Sequence, residues 1–204
     1  MAFPTTGILD SFNRANESPA TGWSDGPAAT VYMAGGVRVL SNVLAPVSGD
    51  SWDYYNVAQY GPDCEVYATV STYPVSTWIE LGLRGAPIND TSMDHYHLFA
   101  DGGLFRIKRA DNSSNTQLGA DITRSLGSGD ALGLEAIGST LTAYYKASGG
   151  SWASQASRTD STYIQSGSFL IYIADANWRI DDFGGGTVVT ASTVRMLAST
   201  GVGK

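Results

Sequence analysis

The sequence predicts an all-β fold of two packed antiparallel sheets, and three observations predict it. Short runs alternate apolar and polar residues with the period of two that a half-buried strand requires, and no segment keeps a helical period over three turns. These runs end in Gly, Asn, Asp or Ser, the residues that turns demand. Glycine is plentiful, with 24 among 204 residues, and 11 Tyr and 5 Trp supply the large rings that strands accommodate.

In chain order the candidate strands are GILDSF (7–12), VRVLSN (37–42), WDYYNVAQY (52–60), CEVYATVSTY (64–73) and WIELGLRGA (78–86). HYHLFAD (95–101), LFRIKRAD (104–111), ALGLEAIG (131–138) and TLTAYYKAS (140–148) follow, then SFLIYIA (168–174), WRIDDF (178–183) and TVVTAST (187–193). Asp101-Gly102-Gly103 supplies the positive-φ positions of a tight hairpin, and Gly138-Ser139 does the same between LGLEAI and TLTAYY. Gly184–Gly186 stands between two runs and reads as a turn. Residues 15–30 and 149–166, rich in Gly, Ser, Ala and Thr, read as long surface loops. No linker and no fixed-period repeat divides the chain, so residues 1–204 are expected to form one domain. MAFPTTG and STGVGK read as short terminal arms that lie on a neighbouring subunit or are disordered; removing residues 1–6 is then expected to weaken assembly without unfolding the domain.

The period of two assigns a face to each residue. Ile79, Leu81 and Leu83 point one way, and Trp78, Glu80 and Arg84 the other. Tyr96 and Leu98 oppose His95, His97 and Phe99; Phe105 and Ile107 oppose Arg106 and Lys108; Leu141, Ala143 and Tyr145 oppose Thr142, Tyr144 and Lys146. The middle strands thus share an apolar inward face and an outward face of rings and hydrogen-bonding groups. Trp52, Tyr54 and Tyr55 read as core or sheet-edge residues.

Composition narrows the function. Hydrophobic residues make up 43% and charged residues 15%, a folded chain long enough to bury a core without staples. With 12 basic against 19 acidic residues the net charge is −7, so neither nucleic acid nor an anionic membrane is an expected partner. Cys64 is alone, which excludes an internal disulfide and a cysteine-based zinc site. The N-terminus lacks the basic start and apolar run of a secretory signal, and no stretch approaches membrane-spanning length. The expectation is a protein that works inside the cell or leaves it by another route, such as a virus particle released by lysis.

Catalytic signals are weak. Retaining glycoside hydrolysis needs two carboxylates about 5 Å apart. The four glutamates Glu17, Glu65, Glu80 and Glu135 are far apart in sequence, although Glu80 and Glu135 could still meet across a sheet. His95 and His97 share a face as a metal pair would, without an evident third ligand; two exposed or hydrogen-bonded side chains is the favoured reading. No nucleophile elbow, phosphate loop or dinucleotide fingerprint is present. A chain that is not an enzyme and carries no cofactor is expected.

A sugar is held by stacking on an aromatic ring while charged or amide groups bond its hydroxyls. The outward set Trp78, Glu80, Arg84, His95, His97, Arg106 and Tyr144 offers both and is the candidate surface for a glycan or a protein partner. The alternatives are a solvated face or one covered by a neighbouring subunit. Asp181 or Asp182, with Asp10, makes a calcium candidate. The favoured alternative is that one Asp pairs with Arg14 or Arg179 and the other accepts backbone N–H bonds, since no Asp-x-Asp loop accompanies them.

The opening DSFNRANESPATGW resembles the first strand and loop of laminin-G-like, concanavalin A-like domains of phage and bacterial surface proteins. EVYATV, WIELGLR, a Tyr-x-Leu strand with its Gly hairpin and FRIKR, and GDALGLEAIGSTLTAYYKASGGSW follow in the same order. RIDDFGGG resembles the return strand that lies beside the first. The resemblance spans roughly residues 8 to 186 and implies a jelly-roll sandwich with one concave and one convex sheet, glycans usually lying on the concave side. The family includes sugar-binding modules, virion surface proteins and glucanases; the glucanases carry Glu-x-Asp-x-x-Glu on one strand, which this chain lacks. The resemblance implies a non-catalytic virion surface protein, on a phage capsid or tail, with weak glycan adhesion. Its partners would be capsid or tail proteins, cell-surface glycan and other copies of itself. The alternative is a carbohydrate-binding module or lectin of a secreted, extracellular glycan-active system; a glycoside hydrolase is less favoured.

Overall fold

Alternating runs that each bury one side must pair face to face, and they do so in a computed structural model that describes residues 2–25, 36–75, 77–89, 92–112 and 114–189. The strands are β1 (Ile8–Asp10), β2 (Trp23–Asp25), β3 (Val37–Leu40), β4 (Val43–Pro46), β5 (Ser51–Tyr60), β6 (Cys64–Thr72), β7 (Ile79–Asn89) and β8 (Ser92–Ala100). They continue as β9 (Leu104–Asp111), β10 (Ser114–Gln117), β11 (Ile122–Thr123), β12 (Ala131–Ile137), β13 (Thr140–Lys146), β14 (Ala153–Thr159), β15 (Gly167–Ile173) and β16 (Arg179–Thr187). The first sheet runs β14-β13-β12-β6-β16-β4-β3, with β1 on β16; the second runs β10-β9-β8-β7-β15-β5-β2, with β11 on β9. The fold is an all-β, two-sheet antiparallel jelly-roll sandwich, as the sequence predicts. Among the described residues no helix is long and apolar enough to cross a membrane.

The core lies between the sheets. Val66, Val70, Leu132, Leu134, Leu141 and Ile180 reach it from the first sheet, and Ile79, Leu81, Leu83, Leu98, Phe105, Ile107 and Ile171 from the second. Burying each such side chain contributes about 1.5–3 kcal/mol. The inward faces expected for WIELGLR, HYHLFA, LFRIKR and TLTAYYK are the ones observed.

Several local expectations are corrected. VRVLSN is one arm and the turn of a hairpin: Ser41 and Asn42 have φ of 55° and 63°, and the chain returns as β4. The loop 149–166 contains β14 and the loop 15–30 contains β2. Gly184–Gly186 is not a turn but part of β16. A Cβ on Gly184 would stand 2.2 Å from the Tyr67 ring, and one on Gly185 would stand 2.4 Å from the Glu65 carbonyl oxygen. Close approach, rather than a reversal, is what these glycines permit. Of TVVTAST, Thr187 ends β16, and residues 190–193 lie outside the described residues.

The N-terminal arm lies on its own domain. Phe3 is buried and stacks on Tyr144 with centroids 3.9 Å apart and planes 4° from parallel, with Trp152 edge-on at 4.9 Å. The backbone N–H and hydroxyl groups of Thr5 and Thr6 all donate to Glu65 Oε1. Residues 2–6 are therefore not a free end: an aromatic anchor and a buried carboxylate hold them against this chain's own first sheet. The STGVGK tail lies outside the described residues.

Candidate functional site

Strand register places two rows of side chains across the outer face of the second sheet. One row runs Trp52, Tyr172, Glu80, Phe99 and Arg106 across β5, β15, β7, β8 and β9; the next runs Tyr54, Leu170, Gly82, His97 and Lys108. Trp78, just before β7, is 38% exposed, and its ring lies nearly parallel to Phe99 (6.0 Å, 24°) and to Tyr172 (6.1 Å, 11°). Lys108 Nζ stands 3.8 Å from the Phe99 ring centroid, a cation–π contact. Trp52, Met93, Leu170 and Tyr172 form a hydrophobic cluster separate from the main core. Leu170 can lie flat across β7 because Gly82 has no side chain: a Cβ there would meet Leu170 at 2.4 Å.

Ionisable groups sit beneath and beside these rings. Burial pushes the Glu80 carboxyl up to about 7, partly opposed by the charge of Lys108. Its Oε2 is 3.7 Å from His97 Nε2, too long for a hydrogen bond. His97 is fully buried, and neither ring nitrogen has a hydrogen-bond partner among the described residues. Burial, with His95 and Lys108 adding repulsion, holds His97 well below the ordinary imidazole range. His95 is lowered to about 4 by burial. Its Nδ1 lies 2.8 Å from the Met93 carbonyl, which only accepts, so that nitrogen carries the proton. Arg106 is paired with Asp101 and Asp121, each at 2.9 Å.

Five of the seven expected site residues, Trp78, Glu80, His95, His97 and Arg106, lie on or beside this outer face, and two do not. Arg84 does not face outward. The register shifts between Leu83 and Ala86, Arg84 has φ of 56°, and its fully buried guanidinium donates to the carbonyls of Pro62, Tyr163 and Gly138. A bulge breaks the period of two on which its assignment rested. Tyr144 faces outward from the other sheet, lies under Phe3, and donates its hydroxyl to Glu135 Oε2. Glu80 and Glu135 likewise stand on different sheets, so they do not form the carboxylate pair considered above. Sequence reasoning missed Trp52, Tyr54 and Tyr172 as members of the face, and placed Lys108 on it without counting it among the site residues. The shared parity of Trp52 and Tyr54 was a usable signal, whereas Tyr172 sits in SFLIYIA, whose unbroken apolarity hides its face.

Asp10 lies beside β16 as expected, but its oxygens accept from the Phe12 N–H, the Arg14 guanidinium and Trp23 Nε1. Asp181 accepts the Asp182 N–H. Among the described residues no group of three or more His, Cys, Asp or Glu is arranged to hold a metal ion. The Cys64 thiol is buried and pushed up to about 12 by that burial.

No family model and no curated protein sequence matches the chain. Solved structures do. The carbohydrate-binding module CBM66 from Bacillus subtilis superposes with a TM-score of 0.63 at 16% identity, covering 82% of this chain and 97% of that module. The exoplasmic/lumenal domain of VIP36 in its Ca2+-bound form gives 0.60 at 12% identity over 92% of each chain. The CBM2 module of the evolved Dit of Lactobacillus casei BL23 phage J-1 gives 0.51 at 12% identity, over 88% of this chain and 94% of that one. At such low identity the likeness establishes the fold, an all-β jelly-roll sandwich.

Proposed function

We propose that this chain is a non-catalytic glycan-binding module of a virion surface protein, holding sugar on the outer face of the second sheet. The observation that carries the reading is the row of rings around Trp78, in which an exposed indole is set parallel to Phe99 and Tyr172 with Glu80 and Lys108 beside it. An apolar plane bordered by hydrogen-bonding groups is what a pyranose face and its hydroxyls require. Non-catalytic character is supported by the two rows themselves: Glu80 is their one carboxylate, whereas retaining hydrolysis needs two at about 5 Å.

The virion setting is supported by the resemblance of DSFNRANESPATGW and the later motifs to phage surface domains, and by the likeness to a module of a phage Dit. Many copies on one particle turn weak single-site contacts into useful avidity. The likeness to CBM66 along 97% of that module favours a second setting, a secreted glycan-active system, with the same face as the site.

A glycan array probed with the purified protein and with Trp78→Ala tests the reading. Binding that is lost in the variant supports a sugar site on this face. Failure to bind any glycan would remove the sugar and leave the face as a contact for a capsid or tail protein.

A further inference from the structure

We propose that Glu80 and His97 act as one coupled acid–base pair, the polar anchor of the ring platform, and that this anchor holds the hydroxyls of an uncharged sugar in a pH-dependent way. The sugar half of the inference rests on the function proposed above; the pair itself does not.

The geometry of His97 points to it. Its imidazole is fully buried with both nitrogens lacking partners among the described residues, and a buried polar atom so left costs about 1–3 kcal/mol. Glu80 Oε2 stands 3.7 Å from His97 Nε2, so a shift of about 1 Å makes a hydrogen bond. Two states follow. With its proton, the carboxyl donates to His97 and is turned toward the sheet. On ionising, the carboxyl releases that proton to solvent and the bond to His97 is lost, leaving a carboxylate with acceptor oxygens and 16% of its side chain at the surface.

The groups facing Glu80 set the ligand class. Phe99, His95 and His97 face it from β8, Tyr172 and Leu170 from β15, and Trp52 and Tyr54 from β5. From β9 come Arg106, neutralised by Asp101 and Asp121, and Lys108, whose amine lies over Phe99 and acts electrostatically on Glu80. Asp50 adds a negative charge near the Tyr172 hydroxyl. Neither cation is left unopposed to receive an anionic sugar, whereas a carboxylate among rings suits neutral hydroxyls. Hydrogen bonds to an ionised acceptor are roughly twice as strong as neutral ones. Affinity therefore rises with pH as Glu80 ionises, while burial keeps His97 neutral throughout.

The test begins without ligand. Side-chain carboxyl carbons and imidazole nitrogens of labelled protein are followed by NMR across pH. One glutamate carbon is expected to titrate well above the ordinary carboxylate range and to vanish in Glu80→Gln, and the His97 ring nitrogens are expected to shift with the same midpoint. A Glu80 that titrates in the ordinary range, or a His97 indifferent to it, overturns the pair whether or not sugar binds. For the best neutral oligosaccharide from the array, calorimetry at about pH 5.5 and about pH 8 should then show several-fold tighter binding at the higher pH, lost in Glu80→Gln. Equal affinities at both, or tighter binding of acidic sugars, overturn the anchoring role. If no glycan binds, the proposed function and the sugar half fall together, and the NMR titration still decides the pair.

Discussion

The outer faces of the two sheets use the same chemistry to different ends. On the first sheet, Tyr67, Tyr144 and Trp152 surround a ring, and Glu65 accepts four hydrogen bonds, but the ring is Phe3 and the donors are Thr5 and Thr6 of the same chain. On the second sheet, Trp78, Phe99 and Tyr172 flank Glu80, and Trp78 remains exposed while His97 keeps two nitrogens without partners among the described residues. The first face shows what an aromatic and carboxylate surface looks like when the chain supplies its own occupant, although Glu65 Oε2 has no hydrogen-bond partner among the described residues. The second lacks such an occupant among the described residues, which is why we place the ligand there.

The comparison breaks most visibly at Phe3. Phe3→Ala removes a buried ring and is expected to cost about 3–5 kcal/mol, read as a fall in thermal midpoint, with glycan binding unchanged. An unaltered midpoint would mean that the first face is as open in solution as the second. Removing residues 2–6 should act in the same direction, as a loss of stability and not only of assembly.

Two pH effects of about 3 kcal/mol at most come next, both on the second face. His95 takes up its second ring proton only below about 4 when folded, against 6.5 for the free group, so the unfolded chain binds more protons in that window. Stability should therefore fall as pH drops from 6.5 toward 4, and His95→Asn, whose amide can still donate to Met93, should flatten that slope in denaturant melts. Glu80 has the opposite sign. Folded, it keeps its proton up to about 7, against 4.5 for the free group, so its contribution declines as pH rises from 4.5 to 7. Glu80→Gln should gain stability relative to the native chain at about pH 8, and an equal loss at every pH would argue that the carboxyl is not held neutral by burial.

The smallest expected change in stability is at Trp78. Trp78→Ala should move the melting midpoint little, an effect of about 1 kcal/mol or less, because the ring is partly exposed. It should nonetheless abolish glycan binding. A large stability loss would turn this residue into a packing element and weaken the distinction between the faces.

How much of this was legible in the sequence follows from how each feature is encoded. The inward faces of β7, β8, β9 and β13 follow directly from the period of two, and so does the outward parity of Glu80, His95, His97 and Arg106. Parity cannot say which sheet a strand joins, and Tyr144 was therefore grouped with residues across the sandwich. Nor can it foresee a bulge, which turned Arg84 inward onto three carbonyls. SFLIYIA is apolar at nearly every position, so the register of β15 between β5 and β7, and with it Tyr172, appears only in the folded chain. The glycines of β16 carried a misleading signal, because close approach and chain reversal call for the same residue.

The measurement that tests the central claim most directly is a backbone-amide NMR map of the protein titrated with the best array oligosaccharide. The account predicts perturbed amides around Trp78–Gly82, His95–Phe99, Arg106–Lys108 and Leu170–Tyr172, with those of Glu65–Tyr67 and Gly133–Glu135 unmoved. Perturbations confined to the first sheet and the Phe3 segment would contradict it, and would show that the N-terminal segment is a displaceable occupant of the true site.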